Sequence, residues 1–150
     1  MKRVIILAAT ILGLSLISYT ASAQKVVVAS PATQPQYYQP AVQAGNFLFV
    51  SGQNAQKGNE KIKGDISQQT KTALQYINQT LKAHGYHFRN VVNVNVFLAK
   101  QKDFAAFNKV YHKYFPNRPA RSTSLGVLHQ NKGALVEIAL VAYKKTAPAT

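Results

Sequence analysis

"VVNVNVFLAKQKDFAAFNKVYHKYFP", residues 91–116, changes its period part-way along. From 91 to 99 it alternates: Val92, Val94, Val96 and Leu98 fall on one parity, and Asn93, Asn95 and Phe97 on the other. Alternation by two is the mark of a strand with one dry face and one partly polar face. From 103 to 115 the aromatic residues Phe104, Phe107, Tyr111 and Tyr114 recur as a helical stripe, and Pro116 stops it. The stretch predicts a strand followed by a helix.

Toward the N terminus, "NFLFVSGQN" (46–54) reads as a buried strand ending in a Ser-Gly turn, with "AVQAG" (41–45) as its hairpin partner. The loop "AQKGNEKIKG" (55–64) follows. Beyond it Ile66, Ala73, Leu74, Ile77 and Leu81 are spaced by threes, fours and sevens, a second helix. Asp65 or Ser67 caps its start and Gly85 closes its end. Toward the C terminus, strands at about 121–128 and 134–143 are joined by a turn at "HQNKG" (129–133). The predicted order is β-β-α-β-α-β-β, a two-layer α+β domain with both helices on one sheet face. The other face keeps Asn93 and Asn95 beside apolar positions such as Phe97. Such a face needs a cover, and a symmetric oligomer is the economical one.

The first residues read as a secretory signal peptide. Met1-Lys2-Arg3 is basic, Val4 to Ile17 is almost wholly apolar, and "ASA" at 21–23 precedes Gln24, with cleavage expected after Ala23. The apolar run is too short for a comfortable membrane span, so no stable insertion is expected after cleavage, and an uncleaved anchor is the alternative. The remainder divides into a flexible segment at 24–36, a domain at 37–143 and a tail at 144–150, in a periplasmic or secreted chain. The formal charge of the whole sequence is +14, and losing Lys2 and Arg3 leaves 16 basic residues against 4 acidic ones, or +12. That charge attracts polyanions, but the basic residues are scattered, without a dense run or a basic-aromatic repeat, which reads as a solvated surface. There are no cysteines, which excludes disulfides, thiolate metal sites and a cysteine nucleophile. His84, His87, His112 and His129 lack metal-ligand spacing.

Four stretches taken together, "YYQPAVQAGNFLFVSGQ", the 91–116 segment, "PARST" and "KGALVEIALVA", resemble the Rid family, the reactive intermediate deaminases also called YjgF. The resemblance covers about 36–143. It implies a chorismate-mutase-like fold, a homotrimer around a central barrel, and ligand sites in the clefts between subunits. It also implies hydrolysis of enamines and imines, chiefly 2-imino acids such as 2-iminobutanoate and 2-iminopropanoate, to 2-oxo acids and ammonia, with no metal and no organic cofactor.

The residues suit that chemistry. A substrate carboxylate is best held by a planar, permanently charged fork, which arginine supplies. Arg121, in "PARST", matches the family's carboxylate-binding arginine; by itself it reads as one more surface cation. Glu137 lies among apolar residues of both parities, where a bare carboxylate is costly to bury. It matches the family's water-positioning glutamate, and a structural ion pair is the alternative. Tyr38 matches the tyrosine that closes over the ligand, with Tyr37 beside it, and Ser51 and Gly52 match its Ser-Gly turn. Asn108, on the apolar stripe, matches an asparagine by the cleft, where a plain helix-to-loop hydrogen bond also fits. Thr123 replaces a cysteine common in relatives, and Ala139 replaces a second acid, so tuning rather than silence is expected. "LHQNKG" is about one residue longer than the family's usual turn.

Three functions compete: an exported imine deaminase, a non-catalytic module for small carboxylates, and a basic polyanion-binding, ribonuclease-like or chaperone-like protein. The charge alone supports the third, and no specific nucleic-acid partner is expected.

Overall fold

The computed structural model describes residues 25–27, 38–57, 61–126 and 133–145. The expected signal peptide, Tyr37, His129 and residues 129–132 of the expected turn lie outside them. In chain order the elements are β1 (Lys25–Val27), β2 (Ala41–Ala44), β3 (Phe47–Gln53), α1 (Ile66–Ala83), β4 (Val91–Leu98), α2 (Phe104–Tyr111), β5 (Ala120–Leu125) and β6 (Val136–Tyr143). The strands form one six-stranded sheet ordered β1-β2-β3-β6-β4-β5. Its described pairs are antiparallel except β4 with β5, which run parallel. A parallel pair needs a crossover, and α2 lies on it. Both helices pack on one face, as the α+β reading requires.

The helix-side face carries Leu48, Val50, Val94, Val96, Ile138 and Leu140, all nearly or fully buried. Against it α1 turns Ala73, Leu74, Ile77 and Leu81. Asp65, not Ser67, caps α1: its carboxylate accepts from Gln68 N at 2.9 Å, and Gln68 Oε1 accepts from Asp65 N at 3.0 Å. This reciprocal pair satisfies donors that a bare helix start leaves open. Gly85 closes the other end at φ +74, where a side chain would be strained. Gln69 is buried and clips the start of α1 to the entrance of β6. Its amide donates to Gly64 O and Gly133 O, and its carbonyl accepts from Leu135 N at 2.9 Å.

Several expectations are corrected. Lys25–Val27, in the segment expected to be flexible, pair with β2 as an extra strand. Strands β5 and β6 follow each other in sequence but are not neighbours, because β4 lies between them. Val92 does not share the dry parity. The β4–β6 register shifts between Val91 and Asn93, so Val91 is buried and Val92 is exposed. Helix α2 ends at Tyr111, and the expected stripe continues through tighter turns, with Lys113 N donating to Val110 O and Tyr114 N to Tyr111 O. Ser51-Gly52 is no terminal turn: it lies within β3, where the register with β6 shifts between Val50 and Gln53.

The second face is the partly apolar one foreseen from Asn93, Asn95 and Phe97. Phe47, Phe49, Phe97 and Tyr143 are all more than a third exposed, and the Phe47 and Tyr143 rings stand 5.0 Å apart. Ser122 Oγ donates to Asn95 Oδ1, and Asn95 Nδ2 to Asn93 Oδ1, a polar row across the same face.

Replacing Gln69 with leucine keeps the volume but strands a buried N–H and two carbonyls. Urea denaturation should show Gln69→Leu losing about 2–3 kcal/mol, and an unchanged midpoint would contradict the clip described here.

Candidate functional site

Arg121 is the second residue of β5 and stands opposite Val94 in the parallel register. Paired residues share a face, so the fully buried Val94 sends Arg121 toward the helix layer. There it meets α2. Arg121 Nη1 donates to Asn108 Oδ1 at 2.7 Å. Its guanidinium carbon lies 4.7 Å from the ring centroid of Tyr111, 5.7 Å from that of Phe107 and 5.8 Å from that of Phe104. The arginine is therefore a planar cation seated on an aromatic bed and tied by one amide. Thr123, two residues on, shares this face opposite Val96.

Asn108 thus ties α2 to β5, its carbonyl oxygen accepting from Arg121. Burial pushes the Tyr111 phenol above its ordinary value of 10.0, and the Arg121 charge pulls partly against that rise. Burial also raises Tyr86, whose hydroxyl donates to Asn46 O at 3.1 Å.

Glu137 takes the other face. It pairs with the exposed Phe97, three residues from Val94 and of opposite parity. Beside it, Ser51 and Gly52 form the extra length of β3 between Val50, opposite Leu140, and Gln53, opposite Ile138. A Cβ built on Gly52 would overlap the Glu137 carboxylate, lying 2.7 Å from Cδ. The glycine makes room for the glutamate, with no unusual φ involved. Ala139, opposite Asn95, lies one pair along, so the absent second acid would have faced the same surface. Ser51 Oγ donates to Gln39 O at 2.6 Å, and Ser51 N donates to Pro40 O at 3.0 Å. The serine thereby anchors the segment leading from Tyr38, which is 63% exposed.

The sequence-predicted residues fall into two groups. Arg121, Asn108 and Thr123 lie on the helix side of the sheet edge; Glu137, Gly52 and Ser51 gather on the open side. The two charged groups do not converge within one chain. Among the described residues no group of three or more His, Asp or Glu could hold a metal ion.

Residues 27–144 match the family described as Endoribonuclease L-PSP, the YjgF/Rid family. The chain belongs to the Rid family. Its Rid-family relatives include a RutC family protein of Pyrococcus horikoshii, 42% identical over 111 residues, covering 72% of this chain and 87% of that one. A protein of Dermatophagoides farinae named 2-iminobutanoate/2-iminopropanoate deaminase is 37% identical over 119 residues, covering 76% and 92%. Among solved structures, yeast Mmf1 matches with TM-score 0.68 and 35% identity, covering 83% of this chain and 98% of that one. The Rid-family protein YyfA of Yersinia pestis matches with TM-score 0.72 and 29% identity, covering 81% and 100%.

The sequence reading missed the seat of Arg121. In the sequence Phe104, Phe107 and Tyr111 read only as a helical stripe. The available signal was their spacing around Asn108, one residue type that does not belong in such a stripe.

Two measurements test this geometry. Gly52→Ala should force the Glu137 side chain aside and cost about 1–3 kcal/mol, and adding Glu137→Ala should return most of that loss in urea denaturation; independent, additive losses would show that the two residues do not meet. Tyr86 and Tyr111 have folded pKa values above the unfolded one, so their neutral forms stabilise the fold fully below pH 10 and that stabilisation is lost as pH rises through the folded values. Stability should therefore fall on the alkaline side of about pH 10 and fall less steeply in Tyr111→Phe; identical slopes would contradict the burial argument.

Proposed function

We propose that this chain hydrolyses 2-imino acids, such as 2-iminobutanoate or 2-iminopropanoate, to 2-oxo acids and ammonia, in a site built from two copies of the chain. The observation that carries the proposal is Arg121: a guanidinium oriented by Asn108 and three rings, on a sheet edge, is a prepared seat for a carboxylate. The name carried by the Dermatophagoides farinae relative supports the reaction class.

In this reading Arg121 of one copy holds the substrate carboxylate, and Glu137 of a neighbouring copy takes a proton from water as its oxygen attacks the imine carbon. The new C–O bond gives a carbinolamine. Glu137 returns that proton to nitrogen, then moves the hydroxyl proton to the same nitrogen as the C=O bond forms and the C–N bond breaks, and ammonia and the 2-oxo acid leave. Water is the only co-reactant the balance needs. Tyr38 and Thr123 would close the cleft. Asn108 and Gly52 act one step back, the first orienting Arg121 and the second leaving space for Glu137.

The second copy follows from the faces. Arg121 and Glu137 look out on opposite sides of one sheet, so a molecule the size of an imino acid cannot touch both in a single chain. The exposed Phe47, Phe49, Phe97 and Tyr143 offer apolar area for a neighbour to cover. The family resemblance supports a homotrimer as the assembly that supplies this neighbour. The basic start, apolar run and "ASA" of residues 1–23 support export of the mature chain.

The test is hydrolysis of 2-iminobutanoate formed in situ from the amino acid. Wild-type protein should accelerate it, and Arg121→Ala and Glu137→Gln should each lose about 100-fold or more. Co-refolding the two variants in equal amounts should restore about a quarter of wild-type activity, because a random cyclic assembly re-pairs one intact Arg121 with one intact Glu137 in that share of sites. A wild-type rate no higher than either variant, with 2-oxobutanoate still bound, would favour the carboxylate-binding module. Salt-sensitive RNA binding or cleavage that survives Arg121→Ala would favour the polyanion reading.

A further inference from the structure

We infer that Phe104 and Tyr111 are positioning residues that set carboxylate affinity through Arg121, an inference that rests on the deaminase reading above. An arginine side chain on an edge strand has many rotamers, and holding one costs conformational entropy. Here three ring centroids lie 4.7–5.8 Å from the guanidinium carbon before any ligand arrives. Tyr111 stands closest at 4.7 Å, Phe107 and Phe104 follow, and Asn108 fixes rotation within the plane through a 2.7 Å hydrogen bond. Ring faces attract a cation from within about 6 Å, so the bed restrains the fork without using up its N–H donors. Asn108 takes one donor, and among the described residues the others are left for two parallel bonds to a carboxylate.

The bed rests on a rigid base. Tyr111 is 4% exposed and stacks on Phe115 at 4.4 Å, and Phe107 is fully buried. Phe104 differs: it is 40% exposed, at the outer edge of the bed. Its truncation leaves the core intact, which makes it the clean probe. The Tyr111 hydroxyl is buried without a hydrogen-bond partner among the described residues, so Tyr111→Phe removes no bond and keeps the ring. A role for the ring face, rather than the hydroxyl, predicts that this variant behaves as wild type. An ordinary core aromatic would show no preference for the chemistry of residue 121.

The experiment is titration of 2-oxobutanoate, the product acid, followed by calorimetry, with imine hydrolysis measured in parallel. Phe104→Ala should weaken Kd and raise KM by at least about threefold, with kcat changed less than about twofold. Tyr111→Phe should leave Kd within about twofold of wild type. In an Arg121→Lys background, where no planar cation remains to be seated, Phe104→Ala should add almost nothing. Equal losses from Phe104→Ala in the Arg121 and Lys backgrounds would overturn the inference, since the ring would then act on the ligand or the fold directly. So would a Tyr111→Phe variant that binds about tenfold more weakly. A wild-type protein that ignores 2-oxobutanoate would overturn the deaminase reading together with this inference, whereas intact binding that Phe104→Ala leaves untouched overturns the inference alone.

Discussion

The parallel pairing of β4 with β5 puts Val94 opposite Arg121, and the rest of the candidate site depends on that register. A slip of one residue would exchange the faces. Arg121 would then stand with the Asn95 row, and Ser122 would enter the helix layer. Helix α2 is the connection between these two strands, so the element that permits the parallel pairing is also the one that receives the arginine. The same crossover thus supplies Asn108 and the rings, all within eight residues of one another. Fold and site share a single local cause.

On the opposite face a different economy operates. Glu137 has its room because residue 52 has no side chain and because the register shift in β3 sets Ser51 and Gly52 against β6 together. The serine uses its hydroxyl to hold the chain at Gln39, next to Tyr38. These contacts prepare a carboxylate and an exposed tyrosine beside a surface that carries both aromatic rings and the Asn93–Asn95–Ser122 polar row. An arginine seat on one side and a carboxylate pocket on the other are halves that face away from each other. Within one chain they stay halves, which is why the proposed chemistry needs a neighbour.

Much of this is legible in the sequence. The spacing of Ile66, Leu74, Ile77 and Leu81 defines α1, while its start was narrowed only to Asp65 or Ser67 until the capping bonds of Asp65 decided it. The alternation from Val94 to Leu98 defines β4, and the uncovered face follows from Asn93, Asn95 and Phe97. What failed has a common physical origin. Val92 and the Ser51-Gly52 pair sit at register shifts, which depend on the partner strand and leave no period in their own. Strand β5, "ARSTSL", has no apolar alternation, so nothing in it told which way Arg121 turns. The resemblance brought Arg121 and Glu137 to notice as a pair, yet only pairing registers on both sides of β4 revealed that they occupy different faces. Lys25–Val27 joins the sheet by pairing with β2, a contribution for which a proline-containing arm without a sustained period gives no warning.

The measurement that bears most directly on this account is a crystal structure of the protein bound to a 2-oxo acid. The account predicts the ligand carboxylate on Arg121 of one copy, with Glu137 of an adjoining copy across the cleft from the ligand's second carbon. A ligand held by Arg121 and Glu137 of the same chain, or seated where neither residue reaches it, would contradict it.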